Sequence, residues 1–328
     1  MKQVLVLMTT YNGEEYLDKQ ISSIVNQKEV STHLLIRDDG STDATKAIIR
    51  SRIEFGERIT LLEANKDEEH GAMVNFYKLL LHAQKEYISK YDFFALSDQD
   101  DIWVSDKLIK MSENLINNNK PELVYANYCV IDTEDNLVVE DVSAEIGLDY
   151  KNPLTLMYNN SFAWGHSIIF NPKLLETICI DDDVIMSEFS HDAYFAKYAV
   201  VCDGIKYDPR VFVKYRRHGN NVSSIWYKFS LSFLSKGVNL VREGKVYANL
   251  VNANLLLFEK NNNEYIDTKI VDEYMSGLKL RGIQTFSYFK KNNIYRKQKS
   301  RDFNMKLTYS LGIYKNWLGN IKKIEIKK

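Results

Sequence analysis

Short apolar runs alternate with helix-like segments through the first 117 residues, and this alternation restricts the fold more than any other feature of the chain. Residues 4–8, 33–37, 59–63 and 91–97 read VLVLM, HLLIR, ITLLE and YDFFALS. Such runs, which have few polar positions, are typical of parallel strands buried on both faces. Each run is followed by a segment with apolar residues at helical spacing. These four β-α units predict a parallel α/β sheet of the nucleotide-binding type.

The remainder of the chain predicts a mixed sheet followed by helices. Beyond Ser224 the strand signals fade, and residues 244–263 and 270–289 have the apolar periodicity of amphipathic helices. We therefore predict an α/β domain over residues 1–222, with a mixed, mostly parallel sheet flanked by helices, and a helical C-terminal region over residues 223–328. Further strands are predicted over residues 122–132, 136–141, 161–171 and 210–219, with a helix over residues 191–201.

Composition indicates a folded protein of a reducing compartment. Apolar residues make up 45% of the chain and charged residues 27%, which is enough apolar surface for a full core. The three cysteines, Cys129, Cys179 and Cys202, are scattered and form no CxxC pair, so neither a disulfide framework nor a zinc knuckle is expected. No leader and no spanning segment is expected either. We predict a location in the cytoplasm or on the inner face of a membrane.

The net charge of −1 conceals a basic C-terminal region. Residues 279–328 contain 14 Lys and Arg against two acids, Asp302 and Glu325, which gives a local charge of +12 and leaves −13 for the first 278 residues. An ordinary solvated helix face explains this excess, and so does attraction to anionic lipid head groups or to an anionic acceptor. Both interpretations stay open at this point.

Acidic segments follow three of the predicted strands. They read TTYNGEE from residue 9, RDDGSTD from residue 37 and SDQDD from residue 97. Ligands of open parallel sheets lie beyond the carboxyl ends of the strands, so these segments are expected to face one crevice. Asp98 and Asp100 are one residue apart and in an extended segment would emerge on the same side, near enough to share one hard divalent cation. The alternative is that Asp100 or Asp101 only caps the next helix.

Six ordered motifs resemble glycosyltransferase family 2 of the GT-A fold, and within it the bacterial rhamnosyltransferase-like branch. The resemblance covers roughly residues 3–222. It implies the GT-A form of the predicted α/β sheet and an enzyme that transfers a sugar from a nucleotide-sugar. The motifs are TTYNGEEYLDKQISSI, RDDGSTD, SDQDDIWVSDK, GHSIIFN, HDAYFA and YRRHGNN.

The resemblance implies where the donor and a divalent cation bind. Asp98 and Asp100 match the family's D-x-D element, which binds Mn2+ or Mg2+ together with the donor, and His218 is implied as a third metal ligand. Lys107 would face the diphosphate. Tyr11 can lie against the base, while an Asp carboxylate can accept the imide N–H of a pyrimidine. The implied nucleoside contacts are Thr10, Tyr11, Asn12, Glu14, Asp38, Asp39 and Ser41.

Inverting transfer needs a base on the acceptor side of the sugar. The family places an acid there, at the start of a helix, and the segment FSHDAYF supplies His191 and Asp192. We predict Asp192 as the base and His191 as its neighbour or a secondary candidate. The alternative is an ordinary helix cap, since Ser190 and Asp192 are both capping types. For His166, an acceptor contact and a structural role are equally open.

The motif forms resemble enzymes that use dTDP-L-rhamnose to build bacterial cell-wall or capsular polysaccharide. The implied acceptor is a saccharide, linked to a lipid diphosphate at the inner leaflet, where the basic C-terminal region would hold the enzyme. A UDP-hexose donor, a non-catalytic nucleotide- or glycan-binding module and a nucleotidyltransferase are the alternatives. The last normally needs a basic, Gly-rich phosphate loop, and TTYNGEEY is acidic. A homo-oligomer is possible, and no nucleic-acid partner is expected.

Overall fold

A computed structural model of the chain shows two compact units. The first comprises Met1–Glu145 and Ala163–His218, and the second comprises Ile146–Phe162 and Gly219–Lys328. The predicted boundary at residue 222 lies outside the described residues. Ile146–Phe162, which is part of the second unit, lies within the range predicted for the first domain. The structure describes residues 1–65, 67, 69–116, 119–147, 150–159, 162–219, 221, 240–296 and 299–318.

Nine strands form one sheet within the described part of the first unit. They are β1 (Lys2–Thr10), β2 (Val30–Asp38), β3 (Ile59–Glu63), β4 (Phe93–Ser97), β5 (Ile102–Trp103), β6 (Leu123–Ile131), β7 (Leu137–Val139), β8 (Ile168–Phe170) and β9 (Ile205–Arg216). Their order is β3-β2-β1-β4-β8-β6-β9-β5, with β7 paired to β6. The predicted mixed, mostly parallel sheet is therefore confirmed.

Strand direction brings several chain segments to one edge of the sheet. Strands β1, β2, β3 and β4 are mutually parallel, and β6 runs parallel to β9. Strand β8 is antiparallel to both β4 and β6, so β4, β6 and β9 share one direction. The residues that follow β1, β2, β4 and β9 consequently meet at the same edge. The apolar run of β1, Val4 to Met8, is completely buried, as expected of a strand covered on both faces.

Helices flank the sheet in the first unit and form the second unit. The helix predicted over residues 191–201 matches α9 in both bounds. The helix-like segment after the fourth apolar run, residues 104–116, contains only the short α4. The helices are α1 (Leu17–Val25), α2 (Thr45–Glu54), α3 (Ala72–Glu86), α4 (Lys107–Ser112), α5 (Val142–Ile146), α6 (Pro153–Met157), α7 (Pro172–Thr177), α8 (Asp183–Glu188), α9 (His191–Val201), α10 (Leu240–Lys260), α11 (Thr268–Lys279), α12 (Ile283–Lys291) and α13 (Lys299–Leu311).

The second unit packs around buried aromatic rings. The Tyr158 ring lies 4.8 Å from Tyr274, 4.8 Å from Phe289 and 5.0 Å from Tyr309, measured between ring centroids. The predicted helical stretch over residues 270–289 is divided between α11 and α12, because Leu280 is extended after α11 and Gly282, the residue before α12, has a φ of 56°. No helix in the described part of the chain is long and apolar enough to cross a bilayer.

Two short elements differ from the sequence predictions and shape the site. Residues 161–171 were predicted as one strand, but among those that the structure describes only Ile168–Phe170 form a strand, and a 3-10 turn over Gly165–Ser167 precedes it. Strand β5 was not predicted, since two residues carry no periodicity. It pairs antiparallel with β9, with Ile102 opposite Lys214 and Trp103 opposite Val213. This pairing fastens the acidic segment after β4 to the last strand of the sheet.

Candidate active site

Two predicted metal ligands meet where β4 and β9 end. Asp100 follows β4 and His218 follows β9, and Oδ2 of Asp100 lies 2.7 Å from Nε2 of His218 although 118 residues separate them in the chain. Both side chains keep 13% of their surface exposed. The pairing of β5 with β9 brings them together, so the sheet rather than local sequence creates this contact.

Asp98 lies beside the pair formed by Asp100 and His218. No described residue donates a hydrogen bond to the Asp98 carboxylate. Burial, and then the nearby negative charges of Asp100 and Asp192, raise the pKa of Asp98 to about 7. The carboxyl groups of Asp98, Asp100 and Asp192 are therefore close enough for their negative charges to repel one another. An added cation would relieve the repulsion between them.

The donor set suits a divalent cation held partly by the donor. Within the described residues, no three His, Cys, Asp or Glu side chains converge closely enough to hold a metal by themselves. Mg2+ is usually bound by one or two carboxylates together with substrate phosphates, and carboxylate and imidazole ligands also suit Mn2+. Asp98, Asp100 and His218 fit such an incomplete protein site.

Asp101 and Arg216 hold the acidic segment in place, and neither was predicted as a site residue. Asp101 is fully buried, and its Oδ1 accepts a hydrogen bond of 2.9 Å from the backbone N–H of Arg216. Burial and the charges of Asp100 and Asp98 raise the pKa of Asp101 well above its usual range. The Arg216 side chain donates from Nε to the backbone carbonyl of Asp100 at 2.9 Å. The motif YRRHG contains Arg216 two residues before His218, so the sequence could have indicated Arg216 as a site residue.

Lys107 is buried beneath the acidic segment rather than open to the crevice. Its Nζ donates to the backbone carbonyl of His166 at 2.6 Å and lies 3.2 Å from the centroid of a Trp103 ring. Burial lowers the pKa of Lys107 well below its usual range, although the charges of Asp101 and Asp98 act in the opposite direction. Lys107 was predicted to face a diphosphate, but in this conformation its amine is fully buried, so the structure gives it the place of a positioning residue.

His166 also has a structural place. Its buried ring lies 4.7 Å from the Tyr128 ring and 5.1 Å from the Tyr215 ring, between centroids. Burial, and then the charge of Lys107, lower the pKa of His166 to about 3, so the imidazole is neutral. Of the two roles left open by the sequence, packing is the one that this geometry supports.

We expect Lys107→Met to destabilise the protein. The change removes the bond to the His166 carbonyl and the contact with Trp103. A buried polar group that loses its hydrogen-bond partner costs about 1–3 kcal/mol in the free energy of unfolding. Urea unfolding measures this loss, and Lys85→Met, at an exposed lysine, is the matched control. An unchanged midpoint would contradict the positioning role.

The first two acidic segments bind each other. Asp38 is completely buried and accepts hydrogen bonds from Thr10 Oγ1 at 2.8 Å, Ser41 N at 2.8 Å and Ser41 Oγ at 2.5 Å. These three residues were predicted to contact the nucleoside. In the structure their side chains satisfy one another, and so they shape the loop on which a nucleoside would rest.

Asn12 and Glu14 join the same two loops. Oδ1 of Asn12 accepts from the backbone N–H of Thr42 at 2.9 Å, and Oε2 of Glu14 accepts from that of Ala44 at 2.7 Å. Glu14 thus satisfies a backbone donor at the start of α2, whose N-cap residue Ala44 makes no side-chain bond. Both residues were predicted as nucleoside contacts, and both support the loop in the structure.

Tyr11 and Asp39 are the predicted nucleoside residues best placed for a ligand. Tyr11 is 56% exposed, and Gln99 fixes its backbone by accepting from its N–H at 2.9 Å and donating to its carbonyl at 3.1 Å. Asp39 accepts from His70 Nδ1 at 3.0 Å and from the backbone N–H of Gly71 at 2.8 Å. A carboxylate can accept about four hydrogen bonds, so Asp39 retains capacity for another donor.

Asp192 and His191 begin α9 and lie against Gly165. Oδ2 of Asp192 accepts from the Gly165 N–H at 3.2 Å. The helix cap is Ser190, which makes no side-chain bond, so Asp192 belongs to the first turn. The His191 ring stacks on Phe76 at 3.9 Å between centroids, and neither ring nitrogen has a partner among the described residues. Burial lowers the pKa of His191 despite the charge of Asp192.

An α/β sheet with acids at its strand ends and a carboxylate–imidazole pair is typical of nucleotide-sugar transferases of GT-A fold. The model of the family Glycosyl transferase family 2 matches residues 5–179, so the chain belongs to this family and is a transferase. A relative, the dTDP-rhamnosyl transferase RfbG of Shigella flexneri, is 28% identical over 243 residues, which is 72% of this chain and 79% of RfbG.

Two solved structures share the fold. TarS of Staphylococcus aureus in complex with UDP-GlcNAc is 15% identical, with a TM-score of 0.55 over 84% of this chain and 72% of that one. The mannosyltransferase PcManGT of Pyrobaculum calidifontis, in complex with GDP-Man and Mn2+, is 14% identical, with a TM-score of 0.51 over 96% of this chain and 87% of that one. The predicted GT-A fold is thereby confirmed.

Proposed function

We propose that the protein is an inverting, metal-dependent glycosyltransferase that moves L-rhamnose from dTDP-L-rhamnose to a saccharide acceptor. The observation that carries the proposal is the contact of Asp100 with His218, beside two further carboxylates, at the strand ends where donors bind. The similarity to a dTDP-rhamnosyl transferase over most of both chains supports the choice of donor.

In the proposed reaction, Asp192 accepts the proton of the acceptor hydroxyl as its oxygen attacks the anomeric carbon. The bond from that carbon to the nucleoside diphosphate breaks, and the diphosphate leaves with the electron pair. Asp98, Asp100 and His218 would hold Mn2+ or Mg2+. When bound, such a cation neutralises the negative charge that develops on the departing diphosphate. Arg216 and Lys107 keep the acidic segment in position.

The acceptor in this proposal is a lipid-linked saccharide of a bacterial cell-wall or capsular polysaccharide. The basic C-terminal region supports it, because a charge of +12 over residues 279–328 favours an anionic surface or an anionic acceptor. The enzyme would then work on the inner face of the cell membrane.

A donor panel tests the proposed function. The protein is incubated with dTDP-L-rhamnose, UDP-glucose, UDP-GlcNAc or GDP-mannose, with Mn2+, Mg2+ or EDTA, and with lipid-diphosphate-linked saccharides. Nucleoside diphosphate release is measured. We expect fastest release from dTDP-L-rhamnose with acceptor and divalent cation. A preference for UDP-glucose or UDP-GlcNAc would show that the donor is a UDP-hexose. Binding of a nucleotide-sugar without release of nucleoside diphosphate under all conditions would indicate a non-catalytic module.

The two adjacent acids of RDDGSTD should respond differently to replacement. We expect Asp39→Ala to reduce the preference for pyrimidine over purine nucleoside diphosphates by about 10–150-fold, because a hydrogen bond to a charged group contributes about 1.5–3 kcal/mol. Asp38→Ala should instead destabilise the fold, since it leaves the hydroxyl and N–H donors of Thr10 and Ser41 unsatisfied. Calorimetric titration and thermal unfolding separate the two effects. Equal nucleotide selectivity in both variants would contradict the assignment.

A further inference from the structure

The second unit exposes apolar side chains within its most basic region. Ile283, at the start of α12, is 78% exposed, and Leu311, at the end of α13, is 52% exposed. Phe303 is also exposed and lies about two turns before Leu311 in the same helix. Single exposed apolar residues are ordinary, so their arrangement decides whether they form a surface.

Hydrogen bonds place Ile283 and Leu311 beside each other. The N–H of Gly282 donates to the Ser310 carbonyl at 2.9 Å, and the Ser310 hydroxyl donates to the Gly282 carbonyl at 2.9 Å. Each exposed residue directly follows one member of this doubly bonded pair. The ends of α12 and α13 are consequently joined, and their exposed side chains form one patch.

Two cations border this patch. The guanidinium of Arg281 covers Gly312, since a Cβ built on Gly312 would lie 3.4 Å from Cζ of Arg281. Lys315 is close by, because its backbone N–H donates to the carbonyl of the same Gly312 at 3.1 Å. We refer to Arg281, Ile283, Leu311 and Lys315 as the basic–apolar surface.

Few acids neutralise this part of the chain. Between residues 279 and 318 the described part of the structure contains one acid, Asp302, which pairs with Lys306 at 2.7 Å. Neither Arg281 nor Lys315 makes an ion pair with a described residue. Their charges are therefore available to an external anion.

We propose that the basic–apolar surface docks on an anionic lipid bilayer. Ile283 and Leu311 enter below the head groups, and Arg281 and Lys315 contact lipid phosphates, an arrangement that satisfies both kinds of side chain at once. A second copy of this surface would bring like charges together. This inference rests on the proposed function and extends it, because docking on the bilayer brings the enzyme to a lipid-linked acceptor.

Vesicle co-sedimentation of the full-length protein tests the surface. We expect binding to vesicles of equal parts phosphatidylglycerol and phosphatidylcholine, and little binding to phosphatidylcholine alone. A basic residue near an anionic membrane contributes about fivefold in affinity, so the double variant Arg281→Gln, Lys315→Gln should bind about 25-fold more weakly at low salt. Ile283→Ser, Leu311→Ser should bind about tenfold more weakly at both low and high salt, since salt does not screen apolar insertion.

Matched variants of the first unit are the controls. Ile116→Ser changes an isoleucine that is 77% exposed, and Lys85→Gln changes an exposed lysine. Both should bind vesicles as the wild type does, and thermal unfolding confirms that every variant is folded. Wild-type protein that fails to bind anionic vesicles would overturn the proposal. So would an Ile283, Leu311 variant that binds no more weakly than Ile116→Ser, or one that changes only the oligomeric state in sedimentation velocity.

The vesicle assay needs neither donor nor acceptor, so it fails or succeeds independently of the transferase reaction. Calorimetric binding of the nucleoside diphosphate is measured on the same variants and should be unchanged. Lost vesicle binding with intact nucleotide binding would then identify the surface alone. Intact vesicle binding without turnover on any nucleotide-sugar would instead count against the proposed function.

Discussion

Asp192→Asn will abolish sugar transfer and leave donor binding intact. The side chain lies in the first turn of α9, and its Oδ2 accepts one bond from the Gly165 N–H, which leaves the oxygens capacity for an acceptor hydroxyl. Asparagine keeps the size and the acceptor oxygen but cannot take up a proton. Removal of a general base costs about 10²–10⁴-fold in rate, so we expect a fall of at least 10²-fold in kcat.

Single-turnover transfer and calorimetric titration of the donor measure the two effects separately. Asp183→Asn is the matched control, since Asp183 is also an acid in the first turn of a short helix of the same unit. His191→Phe would retain the stacking on Phe76 and should reduce transfer only modestly, because both ring nitrogens of His191 are buried. Near-normal turnover in Asp192→Asn, or a larger loss of turnover in His191→Phe, would show that Asp192 is not the base.

Asp100→Ala will uncouple donor binding from the divalent cation. The variant loses a carboxylate and the 2.7 Å contact with His218, so two proposed ligands are disturbed by one change. Changes to groups that only orient metal ligands cost about 10–100-fold in metal affinity, so loss of a ligand should cost at least about 100-fold. Nucleoside diphosphate affinity should then be equally weak with Mn2+ and with EDTA.

Asp106→Ala provides the control for this prediction. Asp106 precedes α4 and makes no cap bond, so its removal subtracts an acid of the same motif, SDQDDIWVSDK, without touching the pair. Manganese titration followed by electron paramagnetic resonance gives the metal affinity directly. A variant at position 100 that retains metal-dependent donor binding would refute the ligand assignment. The Asp106 variant should be indistinguishable from wild type.

Local sequence was sufficient to predict most of the first four β-α units. Strand β3 and helix α9 coincide with their predicted bounds, because apolar periodicity and a break in that periodicity are properties of adjacent residues. The same reasoning failed at β5, which is too short to have a period. It also failed between α11 and α12, where the extended Leu280 and the positive φ of Gly282 divide a stretch with continuous helical periodicity.

The role of individual site residues was less accessible from the sequence. Lys107 is part of the extended acidic motif, and a lysine near a diphosphate site is a reasonable ligand. Only the fold shows that its amine points at the His166 carbonyl under a Trp103 ring. Asp38 is similar, since its motif gives no sign that Thr10 and Ser41 use its oxygens.

The sequence by itself determined the class of sheet, the positions of the acids at its strand ends and the candidate base at the start of α9. Only the tertiary structure decided which of these acids meet. Asp100 and His218 are 118 residues apart and touch because β5 pairs with β9, and Ile283 adjoins Leu311 because Gly282 bonds to Ser310. Periodicity is encoded by neighbours in the chain, whereas these contacts depend on strand order and helix packing, which no local pattern contains.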